Sequence, residues 1–243
     1  MKQKIYIHDE IVHNSNAAQQ VLPVLFKVFK PKSIIDIGCG LGNWIQVAKD
    51  LGVENVLGVD GDYVERSLLK IGSHEFVEKD LKKEFDLNQK FDLAICLEVA
   101  EHLPVEAAEN LVRSLINHAD VIMFSAAVPG QGGQHHINEQ WPVYWKNIFS
   151  NYNYVMLDFF RYSIWNNEKV ERWYRQNLFL VVKEGHSLDA GYNKDAIALI
   201  HPELFEAIKE QYEVKFKRYE QTILKLQKKN WVGRLSKLFK FKK

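Results

Sequence analysis

The chain has 243 residues, 47% of them hydrophobic, with a formal net charge of +1. That length suits one α/β domain with additions, and the apolar fraction can fill a full core. Cys39 and Cys96 exclude a disulfide framework, and neither a signal peptide nor an apolar run near the ~20 residues of a membrane span is evident, so the expectation is a cytoplasmic protein.

The near-neutral charge hides an asymmetry. Residues 225–243 carry eight Lys or Arg and no acid, which leaves 24 basic against 31 acidic residues over 1–224. A body this acidic is a poor match for long nucleic acid, whose binding rests on phosphate neutralisation.

Residues 14–29 predict an N-terminal helix with Val21, Leu22, Leu25, Val28 and Phe29 on one face, stopped by Pro31 and threatened by Pro23. Strand and helix then alternate. Ser33–Ile37 predicts a strand, followed by helix to Leu51, strand Asn55–Val59, helix near Tyr63–Ile71 and strand Glu75–Val77. Strand Phe91–Leu97, helix Pro104–Ala119 and strand Val121–Ala126 complete the alternation, which implies a parallel sheet with helices on both faces. Tyr154–Phe160 and Gln176–Val182 stand about 15 residues apart, across a stretch too polar and aromatic for an ordinary crossover helix, and predict a closing antiparallel hairpin.

The most telling run is Ile35-Asp36-Ile37-Gly38-Cys39-Gly40-Leu41-Gly42-Asn43. An apolar strand ends in three alternate glycines and turns into a helix, which brings bare backbone against a ligand. The spacing is G-x-G-x-G and not the G-x-G-x-x-G of a dinucleotide site, because position 43 is Asn. Cys39 reads as a small buried side chain within this loop. Asp60 ends the second strand, where a carboxylate can accept hydrogen bonds from both ribose hydroxyls. Asp80 ends the third run, placed to receive an exocyclic amine.

Together these residues resemble the class I S-adenosylmethionine (SAM)-dependent methyltransferases, over roughly residues 30–185. The resemblance implies a Rossmann-like α/β fold with a seven-stranded, mostly parallel sheet. It implies SAM as cofactor, with Asp36, Gly38, Gly40 and Gly42 facing the methionine and sugar, Asp60 the ribose, and Asp80 with Leu81 the adenine. Leu97, at the end of the fourth strand, joins the cofactor set. By the same likeness, residues 1–30 form a helical segment covering the cofactor and 31–185 the methyltransferase domain. Residues 186–243 form a linker, a long helix and a basic amphipathic tail.

The fourth strand leads into Glu98-Val99-Ala100-Glu101-His102. A helix begun near Glu98 would put Glu98, Glu101 and His102 on one face at the carboxyl end of the sheet. After the fifth strand, Pro129-Gly130-Gln131-Gly132-Gly133-Gln134-His135-His136 brings two histidines to the same end. Two carboxylates with imidazoles suit Mg²⁺, Mn²⁺ or Fe²⁺ better than structural zinc. The pattern E-x-x-E-H followed by a later His resembles the metal-dependent small-RNA 2′-O-methyltransferases, whose cation is held by two Glu and two His. Carried over, the ligands are Glu98, Glu101, His102 and His136, with His136-x-Asn138-Glu139-x-Trp141 matching the second His motif better than His135. The competing reading has no metal, with His102 or His136 as general base and Glu101 alongside them in the catalytic set.

The insert after the fifth strand is dense in aromatics: Trp141, Tyr144, Trp145, Phe149, Tyr152, Trp165, Trp173 and Tyr174, about half of them expected in the core. With Asn138-Glu139-Gln140-Trp141 and Trp173-Tyr174-Arg175-Gln176-Asn177, this stretch looks like bacterial methyltransferases encoded with glycan-assembly enzymes. That likeness points to a carbohydrate acceptor. The alternatives are an RNA 2′-hydroxyl, a small molecule, or a scaffold that binds SAM and transfers nothing.

A long helix is predicted from Pro202 to about Lys229, with a narrow stripe of Leu204, Phe205, Ile208, Tyr212, Phe216, Tyr219, Ile223 and Leu226. The stripe either docks on its own domain or forms a homodimer. Residues 225–243 mix Trp, Leu and Phe with lysines, as a segment adsorbing to an anionic membrane would.

Overall fold

A computed structural model describes residues 15–195 and 197–240, with side chains through residue 227. The chain forms two compact units, one through His201 and one from Pro202.

The first unit is built on strands β1 (Ser33–Ile37), β2 (Asn55–Asp60), β3 (Phe76–Glu78), β4 (Leu93–Leu97), β5 (Val121–Ser125), β6 (Tyr154–Leu157) and β7 (Phe179–Lys183). They form one sheet in the order β3-β2-β1-β4-β5-β7-β6. The first five run parallel, and β7 enters antiparallel between β5 and β6. β4 and β5 are buried along their whole length, as strands covered on both faces must be, and this is why they read as continuous apolar runs. β1 pairs with both β2 and β4, with Asp36 beside Gly58 on one side and Ile95 on the other. The strand order reverses at the β1–β4 step, so the loops after these two strands open side by side into the crevice where open α/β sheets bind ligands.

Helices cover both faces. On one, α1 (Asn16–Phe26) buries Ala17, Ala18, Val21, Leu22 and Leu25, and α2 (Asn43–Asp50) buries Trp44, Ile45, Val47 and Ala48. On the other, α3 (Ala108–His118) buries Leu111, Val112 and Leu115, and α4 (Pro142–Ser150) sets Trp145 and Phe149 against Phe124. Two short helices, α5 (Arg161–Ile164) and α6 (Arg172–Asn177), fill the connection from β6 to β7. The second unit is a single helix, α7 (Pro202–Lys240).

The elements differ from expectation at several points. Pro23 lies within α1 without ending it. The segment Tyr63–Ile71 forms only a 3₁₀ turn, Arg66–Leu68, in place of a helix. Gln176 and Asn177 close α6 and do not open the last strand, which starts at Phe179. The long helix continues to Lys240, beyond the expected end near Lys229. Residues 1–14 of the expected cofactor-covering segment lie outside the described residues, as do the side chains of 228–243 on which the membrane-adsorbing reading rests. Among the described residues no helix is long and apolar enough to cross a membrane.

Candidate functional site

The glycine loop is held open by its own backbone and by Asp60. Gly38, Gly40 and Gly42 have φ of 88°, 53° and 85°, a region that side chains with a Cβ seldom adopt. A Cβ on Gly38 would lie 2.3 Å from Val99 Cγ2, so the loop after β1 and the turn after β4 are packed backbone to side chain. The Gly38 and Cys39 N–H groups donate to Val59 O at 2.7 and 3.2 Å, which ties the loop to β2.

Asp60 is buried and turned toward the loop. Its Oδ2 accepts from Gly40 N–H at 2.7 Å, while Oδ1 accepts from Gly61 N–H at 2.7 Å and from the Tyr63 hydroxyl. Asp36, also buried, has its pKa raised well above the usual carboxylate range by burial first and by the nearby Asp60 charge second. Leu81 is buried, whereas Asp80 is exposed, its Oδ1 accepting from Lys82 N–H at 3.2 Å and its Oδ2 standing 3.7 Å from Lys83 Nζ. Leu97 closes β4 as a buried residue.

The turn after β4 does not start a helix at Glu98, contrary to expectation. Glu98 has φ of 54°, and the following residues form one 3₁₀ turn, Ala100–His102. A side chain other than glycine costs about 1 kcal/mol or more in that region, so surrounding contacts must hold it. Those contacts are evident. Glu98 N–H donates to Ser125, while the Glu98 carboxylate accepts from Gln131 Nε2 at 2.8 Å and from Asn177 Nδ2 at 3.4 Å.

Glu101, His102 and His136 converge. One ligand atom from each lies within 4.8 Å of the others. What joins them is not a shared helix face but the backbone: Glu101 O accepts from Ile137 N–H at 2.9 Å and Asn138 N–H at 3.1 Å, pinning the β5 loop onto the β4 turn. The rings of His102 and His136 meet edge to face at 4.9 Å. Glu101 is fully buried, and among the described residues neither carboxylate oxygen has a well-formed hydrogen-bond partner. Burial, then the Glu98 charge, raises its pKa well above the usual range. Glu98 is raised as well, by burial, with the amide hydrogen bonds pulling the other way. His102 is pushed down to about 4, by burial first and by His136 second. His135, the other histidine of the pair, is exposed with φ of 61°.

Glu139 organises the loop. Its two oxygens accept from Gly130 N–H and Gly132 N–H, each at 2.7 Å, and Oε1 also meets His136 Nδ1 at 3.0 Å. Gly133 is tight for a different reason: a Cβ there would lie 2.2 Å from His136 Nε2.

Behind Glu98 runs a chain of amides that the sequence reading did not single out. His201 N–H donates to Gln176 Oε1 at 2.7 Å, Gln176 Nε2 to Asn177 Oδ1 at 2.9 Å, and Asn177 Nδ2 to Gln131 Oε1 at 2.8 Å. With Gln131 donating to Glu98, every donor in the chain points toward that carboxylate. The signal was present in the sequence: Gln176-Asn177 directly precedes Leu178-Phe179-Leu180-Val181-Val182, and two amides flanking a buried strand need partners. Of the aromatics, Trp145 and Phe149 are core, Trp141 is exposed, and Tyr174 packs edge to face on Trp44 at 5.5 Å.

A family model described as a methyltransferase domain matches residues 9–198. No curated protein matches. Among solved structures, the methyltransferase domain of bacterial CtHen1-C aligns with a TM-score of 0.50 at 17% identity, covering 70% of this chain and 100% of that one. The plantazolicin methyltransferase BpumL, in complex with a monoazolic desmethylPZN analog and SAH, aligns with a TM-score of 0.51 at 14% identity, covering 72% and 87%. At these identities the likeness is one of fold.

Proposed function

The chain belongs to the methyltransferase-domain family, and we propose that it is a SAM-dependent O-methyltransferase whose acceptor is a sugar hydroxyl of a bacterial surface glycan or its precursor. The observation that carries this reading is the cluster of buried Glu101 with half-buried His102 and His136 at the carboxyl end of the sheet, adjoining the glycine loop. An amine acceptor can attack without a base, whereas a hydroxyl must shed its proton, and this cluster offers the groups for that.

SAM supplies a methyl group already activated on sulfur. The protein's part is alignment, which can contribute ~7–11 kcal/mol of the barrier. The glycine loop and the Asp60 carboxylate would hold the nucleoside, and the α2 N-terminus, beginning just after Gly42, favours a carboxylate beside it. The acceptor oxygen forms its bond to the methyl carbon as the sulfur–methyl bond breaks, and the hydroxyl proton passes to the protein. His136 would take it: with Nδ1 donating to Glu139, a neutral ring keeps its lone pair on Nε2. His102, held neutral by burial, presents a second uncharged imidazole.

The same cluster fits a divalent cation. Its three ligand atoms lie within 4.8 Å of one another, and a buried carboxylate with no well-formed hydrogen bond among the described residues is costly unless it is protonated or meets a positive charge. Glu101, His102 and His136 would hold Mg²⁺ or Mn²⁺, with Glu98 the remaining candidate ligand, and the ion would supply acidity to a coordinated hydroxyl. Support for a sugar acceptor comes from Trp141, which is 40% exposed and offers a flat aromatic face.

The test is transfer of labelled methyl from SAM to nucleotide sugars, lipid-linked oligosaccharides and purified glycans, each with Mn²⁺ and with EDTA. The expected product is a methyl ether on a sugar. Label found only on RNA 2′-hydroxyls or on an amine would overturn the acceptor, and full activity in chelator would remove the cation.

A further inference from the structure

The Asp60 carboxylate is already engaged by its own chain. Gly40 N–H donates to Oδ2 at 2.7 Å, while Gly61 N–H, also at 2.7 Å, and the Tyr63 hydroxyl both donate to Oδ1. An ionised carboxylate offers about four acceptor positions in all. These three donors leave room for about one more, whereas a ribose gripped through both hydroxyls brings two. One of the three must therefore give way. The two backbone donors are held in place: Gly61 directly follows Asp60, and Gly40 belongs to a loop tied to Val59 through the Gly38 and Cys39 N–H groups. The Tyr63 hydroxyl stands at the end of a rotatable side chain, and it is the donor that can leave.

Access points the same way. Asp60 is 2% exposed, so a nucleoside reaches its oxygens only if a neighbour moves. Tyr63 is 48% exposed, yet its hydroxyl rests on that buried carboxylate, so its ring reaches from solvent to Oδ1. Gly61 makes the space for it. A Cβ on Gly61 would stand 2.3 Å from Tyr63 Cε1 and 2.7 Å from Cδ1, so the ring lies against bare backbone. Acid, glycine and tyrosine fall within the four residues Asp60-Gly61-Asp62-Tyr63, and the ring can turn away without any change in the sheet.

We infer that the Tyr63 hydroxyl is a placeholder for a ribose hydroxyl, occupying Asp60 Oδ1 until the cofactor displaces it and the ring swings outward. The exchange replaces one hydroxyl donor by another, so the carboxylate keeps its hydrogen bonds while the phenol passes to water. With the placeholder seated the site is not competent, and the apparent Kd is the intrinsic Kd divided by the competent fraction. The inference rests on the reading of Asp60 as the ribose carboxylate.

Calorimetry with S-adenosylhomocysteine on the parent, Tyr63→Phe, Asp60→Ala and the double variant tests it and keeps the two readings apart. Tyr63→Phe retains the exposed ring and removes the hydroxyl alone, so the ligand should bind about two- to tenfold tighter, the span of one net hydrogen bond. With Asp60→Ala there is no such bond to break, and adding Tyr63→Phe should change nothing further. Unchanged or weaker binding by Tyr63→Phe would overturn the placeholder, as would a tightening that persists without the Asp60 carboxylate. If Asp60→Ala binds as well as the parent, the ribose assignment falls and takes the placeholder with it.

Discussion

Glu139 Oε1 meets His136 Nδ1 at 3.0 Å while the same carboxylate caps Gly130 and Gly132 at 2.7 Å. One side chain thus sets both the fold of the β5 loop and the tautomer of the histidine at its end. A carboxylate that fixes the far nitrogen of an imidazole leaves the near nitrogen as a lone pair, whether that lone pair takes a proton or a cation.

Glu139→Gln should therefore separate binding from chemistry. The amide keeps the volume but can accept through one oxygen only, so it cannot serve Gly130, Gly132 and His136 together. Methyl transfer should fall by about 10- to 100-fold, the usual cost of losing such a supporting carboxylate. Affinity for S-adenosylhomocysteine, measured by calorimetry, should stay within about twofold, since the glycine loop and Asp60 are untouched. An equal loss in both measurements would mean that Glu139 serves the fold alone.

Gly38 and Val99 make a second testable pair. Gly38→Ala places a methyl 2.3 Å from Val99 Cγ2 at a residue with φ of 88°. The left-handed backbone costs about 1–2 kcal/mol and the crowding about 1–3 kcal/mol more. Adding Val99→Ala should return the crowding share but not the backbone share, so urea midpoints of the two single variants and the double variant should be non-additive. Additive effects would show that the loop and the β4 turn are not packed as described.

The sheet and its cofactor end were legible because their signals are local. Apolar runs as short as Leu93–Leu97, bounded by polar residues, read as strands buried on both faces, and three alternate glycines after such a run need little context. The chemistry was legible as residue types and not as geometry. Glu98, Glu101 and His102 suggested one helix face, yet a left-handed Glu98 interrupts the chain there and the Glu101 carbonyl, gripped by Ile137 and Asn138, does the gathering. Neither a side chain forced into a left-handed φ nor a backbone clamp across 36 residues leaves a periodic trace. Tyr63–Ile71 misled for a related reason: its apolar residues have helical spacing, but Asp60 draws Gly61 and the Tyr63 hydroxyl into a turn that starts the segment in another conformation.

Asp60→Ala should weaken S-adenosylhomocysteine binding by at least tenfold. The carboxylate orders Gly40, Gly61 and Tyr63 around the place where the ribose is expected, and its removal frees two backbone N–H groups that bare glycine backbone leaves loosely held. Asp60→Asn should fall between, because its amide keeps one acceptor oxygen but turns a donor toward N–H groups that need acceptors. Calorimetry on all three proteins gives the ranking. Equal affinity across them would remove Asp60 from the cofactor site.

A pH effect on stability should come from His118, away from the site. The ring is fully buried, with Nδ1 2.5 Å from Ser114 O and Nε2 accepting from Leu87 N–H at 3.0 Å. Accepting at Nε2 requires the neutral ring, and burial lowers the pKa below the usual 6.5, with the Ser114 carbonyl pulling the other way. The unfolded chain then takes up a proton on falling through pH 6.5 while the native one resists. The stabilisation held by the neutral ring is complete above that pH and is lost as pH falls below it, at no more than ~1.36 kcal/mol per pH unit. Buried Asp36 and Glu101, whose pKa values are raised, act in the opposite sense, so the total slope is not the observable. The observable is the difference between the parent and His118→Gln in urea unfolding at pH 7.5 and 5.5. The variant should be less stable at pH 7.5, and the gap should narrow at pH 5.5, because the parent alone loses the neutral-ring contribution on acidification. A gap that stays constant or widens would mean that His118 is not held neutral by burial and by the Leu87 N–H.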